Sequence, residues 1–136
     1  MTLLIFLLIL SVLVLIHEFG HFISAKKLGV KVEEFGLGIP PRIFGKKIGE
    51  TVYSINLLPF GGFVKLFGED SDEPTKDQKT SPRSFLTKTP IQRFIIIIAG
   101  VVMNFLLAIL SFFLLFLFTK YNSLSILKLN NSEDGA

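Results

Sequence analysis

Two long apolar blocks, a mixed stretch between them and a polar tail make up the chain. The first block runs from about Thr2 to Ala25; the second, Ile95 to Phe118, contains no charged residue. Each is as long as the ~20 mostly apolar residues a helix needs to span a bilayer. Between the blocks the period changes. Lys31–Phe35 alternates weakly, and Thr51–Leu57 alternates better, with Tyr53, Ile55 and Leu57 on one face and Ser54 and Asn56 on the other. Pro59-Phe60-Gly61-Gly62 is a turn signal, and Phe63–Phe67 reads as the returning strand. The pattern predicts a mainly α membrane protein. Its two transmembrane helices, about 2–25 and 95–118, are joined by a segment carrying a small membrane-associated β-sheet or hairpin. So few strands bury little alone, so they must lean on helices or lipid. The segments are a first transmembrane helix (1–25), a β-rich region (26–68), a flexible polar linker (69–93), a second transmembrane helix (94–119) and a polar tail (120–136).

Composition narrows this picture. Half of the 136 residues are hydrophobic and the mean hydropathy is +0.61, which suits a chain embedded in a lipid bilayer. A cleaved signal peptide fits the first block poorly: no basic residue precedes it, and it leads straight into His17 and Glu18 rather than a small-residue cleavage site. The net charge of +3 is unevenly placed, with Lys26 and Lys27 after the first block and Lys88 and Arg93 before the second. The positive-inside rule puts the 26–93 loop in the cytoplasm, against a weaker opposing vote from Lys120. No basic stripe with interleaved aromatics suggests nucleic-acid binding. The chain has no cysteine, so any metal site must use nitrogen and oxygen ligands.

The chemistry lies at the end of the first block, in His17-Glu18-Phe19-Gly20-His21. At about 100° per residue, the two histidines of an H-E-x-x-H helix are roughly 40° apart, on one face. That spacing suits Zn²⁺, with His17 and His21 as ligands and Glu18 as general base. Zinc lowers the pKa of a bound water from 15.7 to about 7, and the implied reaction is hydrolysis of a peptide bond. The bland alternative is a set of polar side chains near a helix end. Ionisable residues at membrane depth are costly, and three in ligand spacing argue for function.

These residues, followed by Pro59-Phe60-Gly61-Gly62-Phe63-Val64-Lys65, Gly68-Glu69, Ser84-Phe85 and Arg93 to Asn104-Phe105, resemble the site-2 protease family (peptidase family M50) of intramembrane zinc metalloproteases. The likeness is greatest to its RseP-type bacterial members and covers about Leu3 to Phe118. It departs at Ala99-Gly100-Val101, where the family usually has Ala-Gly-Pro. The resemblance implies a multi-pass protein of a bacterial inner membrane that cuts a transmembrane protein substrate near the cytoplasmic face. It also implies a β element that takes up the unwound substrate strand by edge addition. Gly61 and Gly62 are candidates for substrate binding, or form an ordinary hairpin turn. Asn104 either bonds a neighbouring helix or positions substrate.

A catalytic zinc site normally has three protein ligands. This chain offers two histidines, and neither apolar block holds another carboxylate or histidine. The family's third ligand is an Asp in a Leu-Asp-Gly motif on a later helix. Asp134-Gly135 lacks the surrounding apolar helix and is a poor substitute. The expectation is an N-terminal portion of such a protease, whose missing C-terminal half carries the third ligand. Two alternatives stay open: a catalytically inactive membrane scaffold or regulator of the same fold, and a different membrane-anchored HExxH metalloprotease.

Overall fold

A computed structural model describes residues 1–69 and 73–133, with side chains through Tyr121. Residues 70–72 of the expected linker and Asp134 lie outside the described residues. In order, the elements are helix α1 (Thr2–Lys27), strands β1 (Val32–Ile48) and β2 (Thr51–Leu66), a short helix α2 (Lys76–Thr80), a 3₁₀ turn (Phe85–Thr87) and helix α3 (Pro90–Glu133). The chain divides into two compact units, Met1–Asn104 and Phe105–Ala136.

In the first unit, α1 stops for a local reason. Gly29 takes a φ of +70°, the left-handed conformation that glycine adopts without strain. Its N–H donates to the Lys26 carbonyl at 3.1 Å, and the Val30 N–H donates to Ala25 at 2.9 Å. This paired closure satisfies the last carbonyls of the helix and turns the chain back toward it. Ala25 and Val30, thus brought together, join Val32, Leu66 and Ile96 in the buried core, with Phe22, Leu28, Val64 and Phe85 packed around it.

The sheet has two strands, each folded back so that its parts pair more than once. Arg42 to Ile48 pairs antiparallel with Asn56 to Thr51. Glu34, Phe35, Gly36 and Leu37 face Val52, Tyr53, Ser54 and Ile55 in the same order, and Lys65, Val64, Phe63 and Gly62 in reverse order. The chain therefore reverses between Asn56 and Gly62, as the Pro-Phe-Gly-Gly signal predicts, although the strand continues through it. The Arg42–Ile48 arm does not stand out in the sequence, because its Gly45-Lys46-Lys47 run breaks any alternation. Phe35 and Tyr53 stack their edges on Phe22 of α1, at centroid distances of 5.2 and 6.0 Å, and so hold the sheet against the helix.

The stretch read as a flexible linker is partly folded. Thr75 and Gln78 form a reciprocal capping box that starts α2. The Lys31 N–H donates to Arg83 and the Phe85 N–H to Phe67, which ties the stretch to the sheet, and Ser84 is fully buried. Local caps and these two backbone bonds supply the order that the polar composition hides. Arg83 also donates to the Glu50 carboxylate at 2.6 Å. This hydrogen bond holds the Glu50 carboxyl below its usual value and raises that of Arg83. A second box, Thr89 with Gln92 and Pro90 at the first helical position, opens α3. Gly20 then lets α3 approach α1 closely: a Cβ there would lie 2.5 Å from the Ala99 carbonyl oxygen.

The second unit is helical through Glu133, so α3 continues through most of the polar 120–136 stretch. Val101 does not interrupt α3. Two helical spans, Thr2–Lys27 and Pro90–Tyr121, are long and apolar enough to cross a membrane, with mean hydropathies of 2.6 and 2.7 in their most apolar windows. Only 6% and 0% of those windows are buried among the described residues.

Candidate metal centre

Helix α1 carries His17, Glu18 and His21, all half-buried, on the face turned toward α3 and the sheet. The two imidazoles lie edge to face, 4.8 Å between centroids. His21 Nδ1 is 2.7 Å from the Ile96 carbonyl oxygen. A carbonyl can only accept, so Nδ1 carries a proton, and in the neutral imidazole Nε2 then presents a bare lone pair. His17 Nδ1 faces the side-chain amide of Asn104 at 3.5 Å.

Both Nε2 atoms point at one place, the space in front of Gly100. A Cβ on Gly100 would lie 2.6 Å from each of them. The absence of a side chain thus leaves a gap too narrow for a methyl group, flanked by two imidazole nitrogens. Two such donors fit zinc, which takes histidine nitrogen at about 2.0–2.1 Å. Among the described residues, no group of three His, Cys, Asp or Glu side chains gathers in a way that could hold a metal. The described residues supply two donors and stop there.

Glu18 looks into a cleft of about 300 Å³ lined also by His21, Val64, Leu66, Glu69, Ile96 and Ile97. The reversal in β2 reaches this helix face. Gly61, at φ +75°, sits where a Cβ would be 3.6 Å from Val14, and a Cβ on Gly62 would be 3.8 Å from Glu18 Cγ and 2.9 Å from the Gly36 carbonyl oxygen. The structure therefore brings Gly61 and Gly62 to the Glu18 side of α1. Asn104 lies elsewhere, beside His17 in an apolar recess with Leu10, Leu13 and Val14. Sequence reasoning missed Ile96 and Gly100. Their signal was available: Ile96, Gly100 and Asn104 recur every four residues, one face of a helix, and match the four-residue step between the histidines.

Residues 5–133 match peptidase family M50. The chain is 50% identical to a "putative zinc metalloprotease" of Clostridium perfringens, over 78% of this chain and 30% of that protein. A protein of the same description from Thermotoga maritima is 40% identical over 86% of this chain and 22% of its own length. One from Chlamydia pneumoniae is 40% identical over 79% and 18%. The chain thus spans less than a third of each of these three relatives. An H-E-x-x-H helix whose histidines turn to one gap on a second helix lies inside a match that runs nearly end to end, and the chain belongs to peptidase family M50.

Proposed function

We propose that this chain forms the catalytic front of a zinc-dependent intramembrane endopeptidase that cuts transmembrane protein substrates. The convergence of His17 and His21 Nε2 on the gap at Gly100, with Glu18 beside it, carries this reading. Zinc held there would acidify a water and polarise the scissile carbonyl. Glu18 would take the proton from that water and return it to the leaving amine. The third ligand would come from a part of the protein beyond the described residues. The open apolar faces of both spans suit lipid and neighbouring helices, and Lys26 and Lys27 support a cytoplasmic placement of the histidine end of α1 in a bacterial membrane.

The sheet suits a substrate strand. Gly62–Leu66 pairs with β1 along one edge, and Val64 and Leu66 line the Glu18 cleft. An unwound substrate adding to the free side of this segment would gain backbone hydrogen bonds and present an extended scissile bond to Glu18. A helical peptide bond could not be attacked there, because its carbonyl is already engaged and shielded.

The test is cleavage of a transmembrane test substrate by the natural full-length protein. Cleavage should require zinc and disappear in Glu18→Gln; full cleavage by that variant would sink the mechanism. A second reading, an inactive scaffold that holds helices without cutting them, is favoured by the two-donor count among the described residues. Substrate binding without zinc uptake or cleavage would establish it instead.

A further inference from the structure

The face of α3 that meets the histidines has three positions in register with them. Ile96 meets His21, Gly100 leaves the gap, and Asn104 meets His17. At His21 the arrangement follows from the partner: Nδ1–H donates to a carbonyl oxygen, and Nε2 of the neutral ring is bare. At His17 the partner is an amide, and its two ends have opposite consequences.

With the Asn104 Nδ2 end toward the ring, Nδ2 donates, His17 Nδ1 must be the unprotonated acceptor, and the ring proton sits on Nε2. That proton would occupy the gap at Gly100. In this orientation the Asn104 Oδ1 is buried without a hydrogen-bond partner. A half-turn of the amide exchanges the two ends at almost no change in shape. Oδ1 then accepts from His17 Nδ1–H, the amide NH₂ takes the partnerless position, and His17 Nε2 is bare like that of His21. The choice is made by the ring: only the second arrangement leaves both Nε2 lone pairs free for a metal.

We infer that Asn104 is a positioning residue for the zinc site, its Oδ1 accepting the His17 Nδ1 proton as the Ile96 carbonyl accepts that of His21. This rests on the zinc reading above. It gives Asn104 a role on a metal ligand, in place of helix packing or substrate contact. Acceptors behind ligating histidines fix the tautomer and the ring orientation, and their removal typically costs 10–100-fold in metal affinity.

The experiment measures Zn²⁺ affinity of the natural full-length protein by competition with a chelator, for wild type, Asn104→Leu and Asn104→Asp. Thermal stability is followed alongside, and the His17 Nδ1 proton is observed by ¹⁵N NMR of the zinc-loaded forms. Asn104→Leu should bind zinc 10–100-fold more weakly and lose the hydrogen-bonded Nδ1 proton signal. Asn104→Asp, which can accept but not donate, should keep both the affinity and the signal. Equal weakening in both variants would mean that the amide donates to the ring, and would overturn the inference. Unchanged zinc affinity in Asn104→Leu would overturn it too, whatever happens to stability or cleavage. If wild type takes up no zinc, the reading of the histidine pair itself fails; if it does and only the variants disagree, the role of Asn104 alone fails.

Discussion

Gly100 lies against His17 so closely that a methyl group on its Cα would come within 2.6 Å of the imidazole Nε2. The same methyl would meet His21 Nε2 at 2.6 Å. Gly100→Ala should therefore fill the place where zinc would sit while improving the helix, since alanine is the better helix former by about 1 kcal/mol. The expected outcome is at least a tenfold loss of zinc affinity with helical content unchanged by circular dichroism. Wild-type zinc binding in that variant would show that the histidines do not use this gap.

Glu18 can be separated from the metal. Glu18→Gln keeps the size and loses the base, so cleavage of a transmembrane substrate should fall by about 10²–10⁴-fold. Zinc affinity should stay within a few-fold of wild type, because Gln leaves both imidazoles in place. Measuring metal content and rate on one preparation checks both halves.

The two glycines of the β2 reversal should answer differently. Gly61 has φ +75°, so Gly61→Ala places a side chain in the left-handed region at a cost of about 1–2 kcal/mol. The midpoint of thermal unfolding should drop. At Gly62 the difficulty is contact: a Cβ would press on the Gly36 carbonyl oxygen at 2.9 Å, between the strand and Glu18. Gly62→Ala should displace the cleft-lining segment and slow cleavage roughly tenfold, about 1.4 kcal/mol at the transition state, with zinc affinity retained. Kinetics of both variants beside their melting curves would distinguish a fault in folding from a fault in substrate placement.

The Glu50–Arg83 pair predicts a pH response of its own. Arg83 holds the folded Glu50 carboxyl below its usual 4.5, so the folded state binds fewer protons there than the unfolded state. The stabilisation is present above pH 4.5 and is lost as pH falls through the lowered value. Both side chains are partly exposed, at 34% for Glu50 and 49% for Arg83, so solvent screens the pair and the effect should be small. Unfolding curves of wild type and Glu50→Gln should differ near neutrality and converge in acid. A gap that stays constant with pH would show that the ionised pair is not its cause.

Much of this was legible before the structure, for identifiable reasons. The two apolar spans announce themselves because each is an apolar run long enough to cross a bilayer. The shared face of the two histidines announces itself because residues four apart lie on one side of a helix. Pro59–Gly62 marks a reversal through its turn chemistry. What stayed hidden is tertiary. Arg42–Ile48 forms strand because Thr51–Asn56 lies beside it, with no alternation of its own to show. The 73–93 stretch is ordered by two caps and by backbone bonds to Lys31 and Phe67, which involve no distinctive side chain. Gly100 looks like one more small residue in a hydrophobic run, and only its distance to two nitrogens separates it from the others.

The bond from His21 to Ile96 ends on the main chain. No single-codon change at position 96 can delete that acceptor, since every amino acid, proline included, brings the same carbonyl. His17 instead depends on one side-chain amide at position 104. Random mutagenesis scored for zinc retention should reveal that imbalance: hits would gather at codon 104, while codon 96 would register only through its buried side chain, as lost protein rather than lost metal.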